Sequence, residues 1–233
     1  KGQSGYEALR VFADELAEGL RNLSHEVEVF DFTKPGEDEK LYELLERREG
    51  AFYPDVILAM NGIKAAVHLP DGKLLHNQID VPMVSYIVDH PLYHHQRLRV
   101  KLKKHHVLCV NGDFASYIRK YYQNVKNVEI MMQAGIGEAG DIPVKEREYD
   151  VAFLGTYRNE KEIERQIEAS DEVVKNVTYS MLEILLQEPG LTLEEAFDRV
   201  LVTNGIRLPE NAYADTMNAM HLADKYVRAL YRR

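Results

Sequence analysis

The chain has 233 residues, 45% of them hydrophobic, with 29 basic against 38 acidic side chains and a formal net charge of −9. That length and apolar content support one large domain, or one domain with an appendage, and exclude a disordered tail. No run approaches the roughly 18 consecutive apolar residues of a membrane-spanning helix, no signal-like apolar stretch opens the chain, and the negative balance argues against nucleic-acid binding.

Ser4 and Glu7 have the spacing of a capping box, and Leu9, Phe12, Leu16, Leu20 and Leu23 follow at helical spacing, so an amphipathic helix is expected at the start. The alternating run Glu26 to Phe32 predicts a strand. Pro35-Gly36 breaks the chain before a short helix marked by Leu41, Leu44 and Leu45. Apolar runs then recur at Asp55–Met60, Val81–Val88, Val107–Val110 and Val128–Met132, with a helix predicted at Asp113–Tyr122. Near-continuous apolar strands alternating with helices predict an α/β domain: a Rossmann-like parallel sheet with helices on both faces, spanning residues 1–149. Residues 150–233 are expected to hold a last strand, Asp150–Gly155, and a helical segment. Its helices are a long charged one from Glu160 to about Gln187, one begun by the capping box Thr192–Glu195, and one from about Glu210. The apolar stripe of the last helix, including Met217, Met220, Leu222 and Leu230, is expected to pack on its own sheet, with a second copy of the chain as the alternative partner.

In open parallel sheets ligands sit outside the carboxyl ends of the strands. The residues just after each predicted strand are therefore the candidates: Asn61-Gly62-Ile63, Asp89-His90-Pro91 with Tyr93, His94 and His95, Asn111-Gly112-Asp113, Gln133 to Gly137, and Gly155-Thr156-Tyr157-Arg158. Asp89 through His95 is the densest cluster, and a carboxylate beside an imidazole could serve as a general base on a hydroxyl. The bland alternative is that Asp89 caps a turn and the histidines are solvated. A metal site built on His90 and His94 is disfavoured, because Pro91 opposes helical geometry at His90 and no second ligand motif accompanies it. His105 and His106, following Lys101, Lys103 and Lys104, are expected on a solvated basic face, the one place where an anion would be met. Gly135 and Gly137 form a G-x-G without the third glycine of a dinucleotide fingerprint, and no P-loop or G-x-S-x-G elbow occurs. Cys109, the only cysteine, lies in a predicted strand, excludes an internal disulfide, and is expected in the core of a protein kept in a reducing, cytoplasmic setting.

Gly5 to Leu16, then Leu23-Ser24-His25-Glu26-Val27-Glu28-Val29, Pro54 to Ile57, Val81-Pro82 and Asp89-His90-Pro91 together resemble the N-terminal half of bacterial GT-B glycosyltransferases. The stretch AEGLRNLSHEVEVF is similar to the first helix and second strand of such enzymes, with Ser24 where a helix-ending glycine is usual. Asp150 to Tyr157 resembles the point where these chains begin to cross toward their second domain. The resemblance implies an acceptor-side domain that works with a C-terminal donor-binding domain absent from this sequence, so that the chain reads as a piece of a longer enzyme. It also implies a nucleotide-sugar as co-substrate, a small-molecule or glycan acceptor, and no metal or other cofactor. Asp89 or His90 would take the acceptor's proton. Asn61, Gly62, Gly135 and Gly137 would line the cleft with Tyr93 and His94, and Gly155, Thr156 and Tyr157 would lie near the interdomain crossing. The alternative is a noncatalytic Rossmann-like module that binds a sugar or nucleotide and dimerises through its helical tail.

Overall fold

The computed structural model describes residues 8–46, 53–79, 81–133, 143–146, 148–149, 151, 159–207 and 213–231. The chain divides into two compact units, Lys1–Glu138 and Ala139–Arg233. In the first, helices α1 (Ala8–Asn22) and α2 (Glu37–Glu46) precede strand β1 (Ile57–Met60). Helix α3 (Leu75–Ile79) leads to β2 (Met83–Ile87), and a 3-10 turn at Pro91–His94 runs into α4 (His95–Leu98). Strand β3 (His105–Cys109), helix α5 (Gly112–Tyr121) and β4 (Asn127–Ile130) complete it.

The four strands pair in parallel in the order β1-β2-β3-β4, which makes this an α/β, Rossmann-like sheet. In parallel register, paired residues share a face. One face therefore carries Ala59, Met83, Ile87, Val107 and Cys109, all buried, while the other carries Val84 and Leu108, half-buried, and Tyr86, whose hydroxyl donates to the Met131 carbonyl at 3.1 Å. Parallel strands need both faces shielded, which explains why each reads as a nearly unbroken apolar run. Met83 packs with Ala59, Ala65 and Leu102, and α5 covers β3 and β4.

Two expectations are corrected here, for residues 26–32 and for His105, and one, at Ser24, is given its geometry. Residues 26–32 form no strand ladder; Phe30 and Phe32 instead pack onto the Leu41–Leu45–Leu75 cluster, and Arg21 binds the Val27 carbonyl at 2.8 Å. The alternation there fits one half-buried surface, and side chains rather than strand pairing satisfy it. Ser24 adopts a left-handed φ of 67° as the His25 amide closes back on the Leu20 carbonyl at 3.1 Å, the conformation that glycine fills without strain. His105 is fully buried within β3 rather than solvated.

The second unit holds α6 (Glu160–Glu168), α7 (Glu172–Gln187), α8 (Leu193–Thr203) and α9 (Tyr213–Tyr231). The long helix expected from Glu160 to Gln187 is two helices. Asp171 accepts the Val173 and Val174 amides at 3.1 and 2.9 Å, a cap that restarts the helix and competes with continuation. Thr192 and Glu195 make the expected capping box. Met217 and Met220 are buried, and the helices covering α9 are α7, α6 and α8, which is where the apolar stripe finds its partner. Apart from Val151, an exposed bend residue, the strand expected at Asp150–Gly155 lies outside the described residues, as does the capping box at Ser4–Glu7. Among the described residues, no helix is long and apolar enough to cross a membrane.

Candidate functional site

The backbone leaving β1 is left-handed at Asn61 (φ 49°), Gly62 (65°) and Lys64 (63°). Such values are uncommon outside glycine and concentrate where the surroundings hold a strained turn in place. Asn61, only 2% exposed, uses all its polar groups. Its Oδ1 accepts the Val88 amide at 2.9 Å, its Nδ2 donates to Asp89 Oδ2 at 3.0 Å, its N–H donates to the Tyr86 carbonyl at 2.7 Å, and its carbonyl accepts Arg97 Nη1 at 2.9 Å. One buried residue thus ties the carboxyl ends of two adjacent strands together through its side chain and to α4 through its carbonyl. At Gly62 a Cβ would meet Ser85 Oγ at 3.2 Å and Arg97 Cβ at 3.3 Å, so only glycine suits both the torsion and the space.

After β2, the Asp89 side chain is 64% exposed, with one oxygen fixed by Asn61. His90 caps the turn that follows, with Pro91 at its first position. Its Nδ1 accepts the Leu92 amide at 3.2 Å, and its ring meets Phe114 and Tyr117 edge-on at centroid distances of 5.3 and 5.1 Å. Because Nδ1 accepts, the neutral ring carries its proton on Nε2. His94 is buried, and its Nε2 lies 3.9 Å from Asp89 Oδ2, beyond hydrogen-bond reach. Burial, and then the positive charge of Arg97, push its pKa down to about 4, so the ring is neutral at pH 7. Among the described residues neither of its nitrogens has a hydrogen-bond partner. Tyr93 is half-buried within the turn, and His95 shares a 3.1 Å hydrogen bond with the Tyr122 hydroxyl. The bland reading is overturned for His94, which is not solvated, and for Asp89, which does not cap the turn; His90 does.

The other strand ends carry structural duties. Asn111 caps α5 by accepting the Phe114 amide at 2.8 Å. Gly135, Gly137, Gly155, Thr156 and Tyr157 lie outside the described residues. His105 sits beneath the site, its Nε2 2.9 Å from Ser85 Oγ. Burial holds its pKa at about 4, with the neighbouring His106 and His76 pushing the same way. His106, on the opposite face, meets Asn127 Nδ2 at 3.0 Å. Cys109 is buried, and burial raises its thiol pKa, which makes it a poor nucleophile. No three His, Cys, Asp or Glu side chains gather as metal ligands would, among the described residues.

Two functional-looking cations have no signal in the sequence pattern. Arg97 and Lys64 line an open cleft of about 340 Å³ with Asp38, Tyr42, Ala65 and Ala66. Arg97 reaches it from 36 positions beyond Asn61, a separation that no spacing rule anticipates. Lys64 pairs with Asp38 and lies 4.8 Å from the centre of the Phe32 ring. Scans against known protein families, curated proteins and solved structures find no match to this chain.

Proposed function

We propose that this chain is the acceptor-side domain of a glycosyltransferase, which moves a sugar from a nucleotide-sugar to an acceptor hydroxyl in concert with a donor-binding domain. The observation that carries the reading is the bond from Asn61 Nδ2 to Asp89 Oδ2. It orients an exposed carboxylate at the carboxyl ends of two neighbouring parallel strands, where open α/β sheets bind their ligands. The sequence likeness to GT-B enzymes points to the same residues.

The two candidates for the base differ in what they offer. The Asp89 carboxylate accepts the acceptor's hydroxyl proton as that oxygen forms its bond to the anomeric carbon and the bond from that carbon to the nucleotide diphosphate breaks. His90, with Nδ1 already accepting from Leu92, has that nitrogen occupied and stands second to Asp89 as the group that takes the proton. Asn61 and Gly62 are positioning residues: the first aims Asp89, and the second lets Arg97 lie against the end of β1. The buried, neutral His94 keeps a second charge away from the carboxylate.

The test is to incubate the full-length protein carrying this domain with a panel of nucleotide-sugars and measure release of the nucleotide diphosphate. Turnover with at least one donor supports the transferase. Saturable sugar or nucleotide binding without turnover would replace it with the noncatalytic binding module.

A further inference from the structure

We propose that Asn204-Gly205, at the end of α8, is a self-modifying site, where the Asn204 side chain cyclises onto the Gly205 backbone nitrogen and is converted to aspartate or isoaspartate. The site is independent of the transferase reading.

The chain contains three Asn-Gly pairs, Asn61-Gly62, Asn111-Gly112 and Asn204-Gly205, and the same reaction is open to each. The glycine nitrogen attacks the asparagine Cγ, the Cγ–Nδ2 bond breaks, and Nδ2 leaves as ammonia with the proton that the glycine N–H gives up. Water then opens the resulting succinimide at either carbonyl. One product is aspartate; the other is isoaspartate, in which the backbone runs through the former side chain. Glycine favours the step because it has no Cβ to crowd the attacking nitrogen. What separates the three pairs is the cost of bringing Cγ and the following nitrogen together.

At Asn61 that cost is greatest. The residue is 2% exposed, and its side-chain bonds to the Val88 amide and to Asp89 hold two strand ends together, so cyclisation there requires opening the edge of the sheet. Asn111 is exposed, yet it stands two residues after β3 and immediately before α5, with its Oδ1 accepting the Phe114 amide at 2.8 Å. Packed elements tether it on both sides, and turning its Cγ toward Gly112 uncaps α5.

Asn204 is tethered on one side only. It is exposed, as is Gly205, and the next described element after α8 begins at Tyr213. Gly205 is left-handed, with a φ of 63°, and among the described residues nothing lies within 4 Å of where its Cβ would stand, which leaves room for water beside the pair. Three bonds hold it: the Gly205 amide to the Val202 carbonyl at 3.1 Å, the Ile206 amide to the Leu201 carbonyl at 2.8 Å, and Asn204 Nδ2 to the Val200 carbonyl at 2.7 Å. All three fold the end of α8 back onto its own carbonyls, so fraying of that one turn releases the attacking nitrogen and the leaving group together. Helix ends open at the low end of the free-energy range within a protein, and core strands at the high end. The product then undoes the cap. A carboxylate has no N–H for the Val200 carbonyl, and it places negative charge at the negative end of α8.

The experiment is peptide mapping by mass spectrometry during incubation of the full chain in mildly alkaline buffer, with incubation in concentrated guanidinium as the control. In the folded protein Asn204 should gain the mass of an amide-to-acid exchange at least about tenfold faster than Asn61, and several-fold faster than Asn111. In guanidinium the three should convert at similar rates. Asn204→Asp should speed hydrogen exchange at the Gly205 and Ile206 amides several-fold and leave exchange in α7 unchanged. No conversion at Asn204, a lead by Asn61 or Asn111, or equal rates in the folded protein would overturn the site. Unchanged exchange in Asn204→Asp would overturn its effect on α8.

Discussion

At the carboxyl edge of the sheet, Asn61, Gly62 and Lys64 hold left-handed backbone, a buried amide joins two strand ends, and a half-buried guanidinium packs against them. At the amino edge, Lys101, Lys103 and Lys104 are exposed. There the turn is held by Asn77, whose Nδ2 donates to the Lys101 carbonyl at 3.0 Å and whose Oδ1 accepts the Lys103 amide at 2.7 Å. Both edges connect the same parallel strands and both use one asparagine to organise a loop. Both edges hold buried polar groups, His105 at the start of β3 among them, but of the two only the carboxyl edge, among the described residues, places non-glycine residues in left-handed backbone. Strain persists where surrounding contacts over-determine it, and such places concentrate at sites of binding and catalysis. The contrast separates the edge to which the proposal assigns the chemistry from the edge whose loop is held by Asn77.

The largest effect expected from this contrast is on acid stability. His94, at the carboxyl edge, and His105, the first residue of β3, have folded pKa values of about 4, depressed chiefly by burial from an ordinary value of 6.5. Between those limits the unfolded chain binds protons that the folded chain refuses. Stability is therefore complete above about pH 6.5 and falls as the pH drops toward 4, with a slope of about 1.4 kcal/mol per pH unit for each ring. Urea denaturation across pH 4 to 7 should show that slope. His105→Gln should remove about half of it, whereas a flat profile would mean that the two rings are not buried and neutral.

Next in size is Gly62→Ala. The left-handed φ and the 3.2 Å approach to Ser85 Oγ together should cost roughly 2–4 kcal/mol. Gly72 has a similar φ of 81° with nothing within 4 Å, so Gly72→Ala should cost only about 1 kcal/mol. Equal losses at the two glycines, measured by chemical denaturation, would remove the argument that Gly62 is fitted to its neighbours. The smallest effect is expected at the amino edge. Asn77→Ala should lower stability by about 1 kcal/mol through its lost hydrogen bonds, with no change in turnover or ligand affinity.

Much of the sheet was legible in the sequence because parallel strands are buried on both faces and so read as apolar runs: Asp55–Met60 contains β1, and Val128–Met132 overlaps β4. Residues 26–32 read as a strand from their alternation of polar and apolar side chains, yet pairing is not a local property, and no ladder forms there. The break between α6 and α7 was encoded by Asp171, a cap residue whose signal was outweighed by the helical character on both sides. His105 shows a neglected rule. Adjacent strand residues point to opposite faces, so His105 and His106 could not share one solvated environment. In the site, Asn61 and Asp89 were legible as strand-end residues, and their direct bond agrees with that placement. Arg97, Lys64 and Ser85 were not, because what brings them together is the stacking of strand ends and not any spacing along the chain.

The central claim is that Asp89, aimed by Asn61, is the base. It is tested most directly by turnover of Asp89→Asn in the full-length protein with the donor that the nucleotide-sugar panel identifies. The substitution keeps the shape and the place of the side chain and removes only its capacity to accept a proton. Turnover should fall by about 10²- to 10⁴-fold with thermal stability unchanged. Turnover within a few-fold of wild type would contradict the assignment.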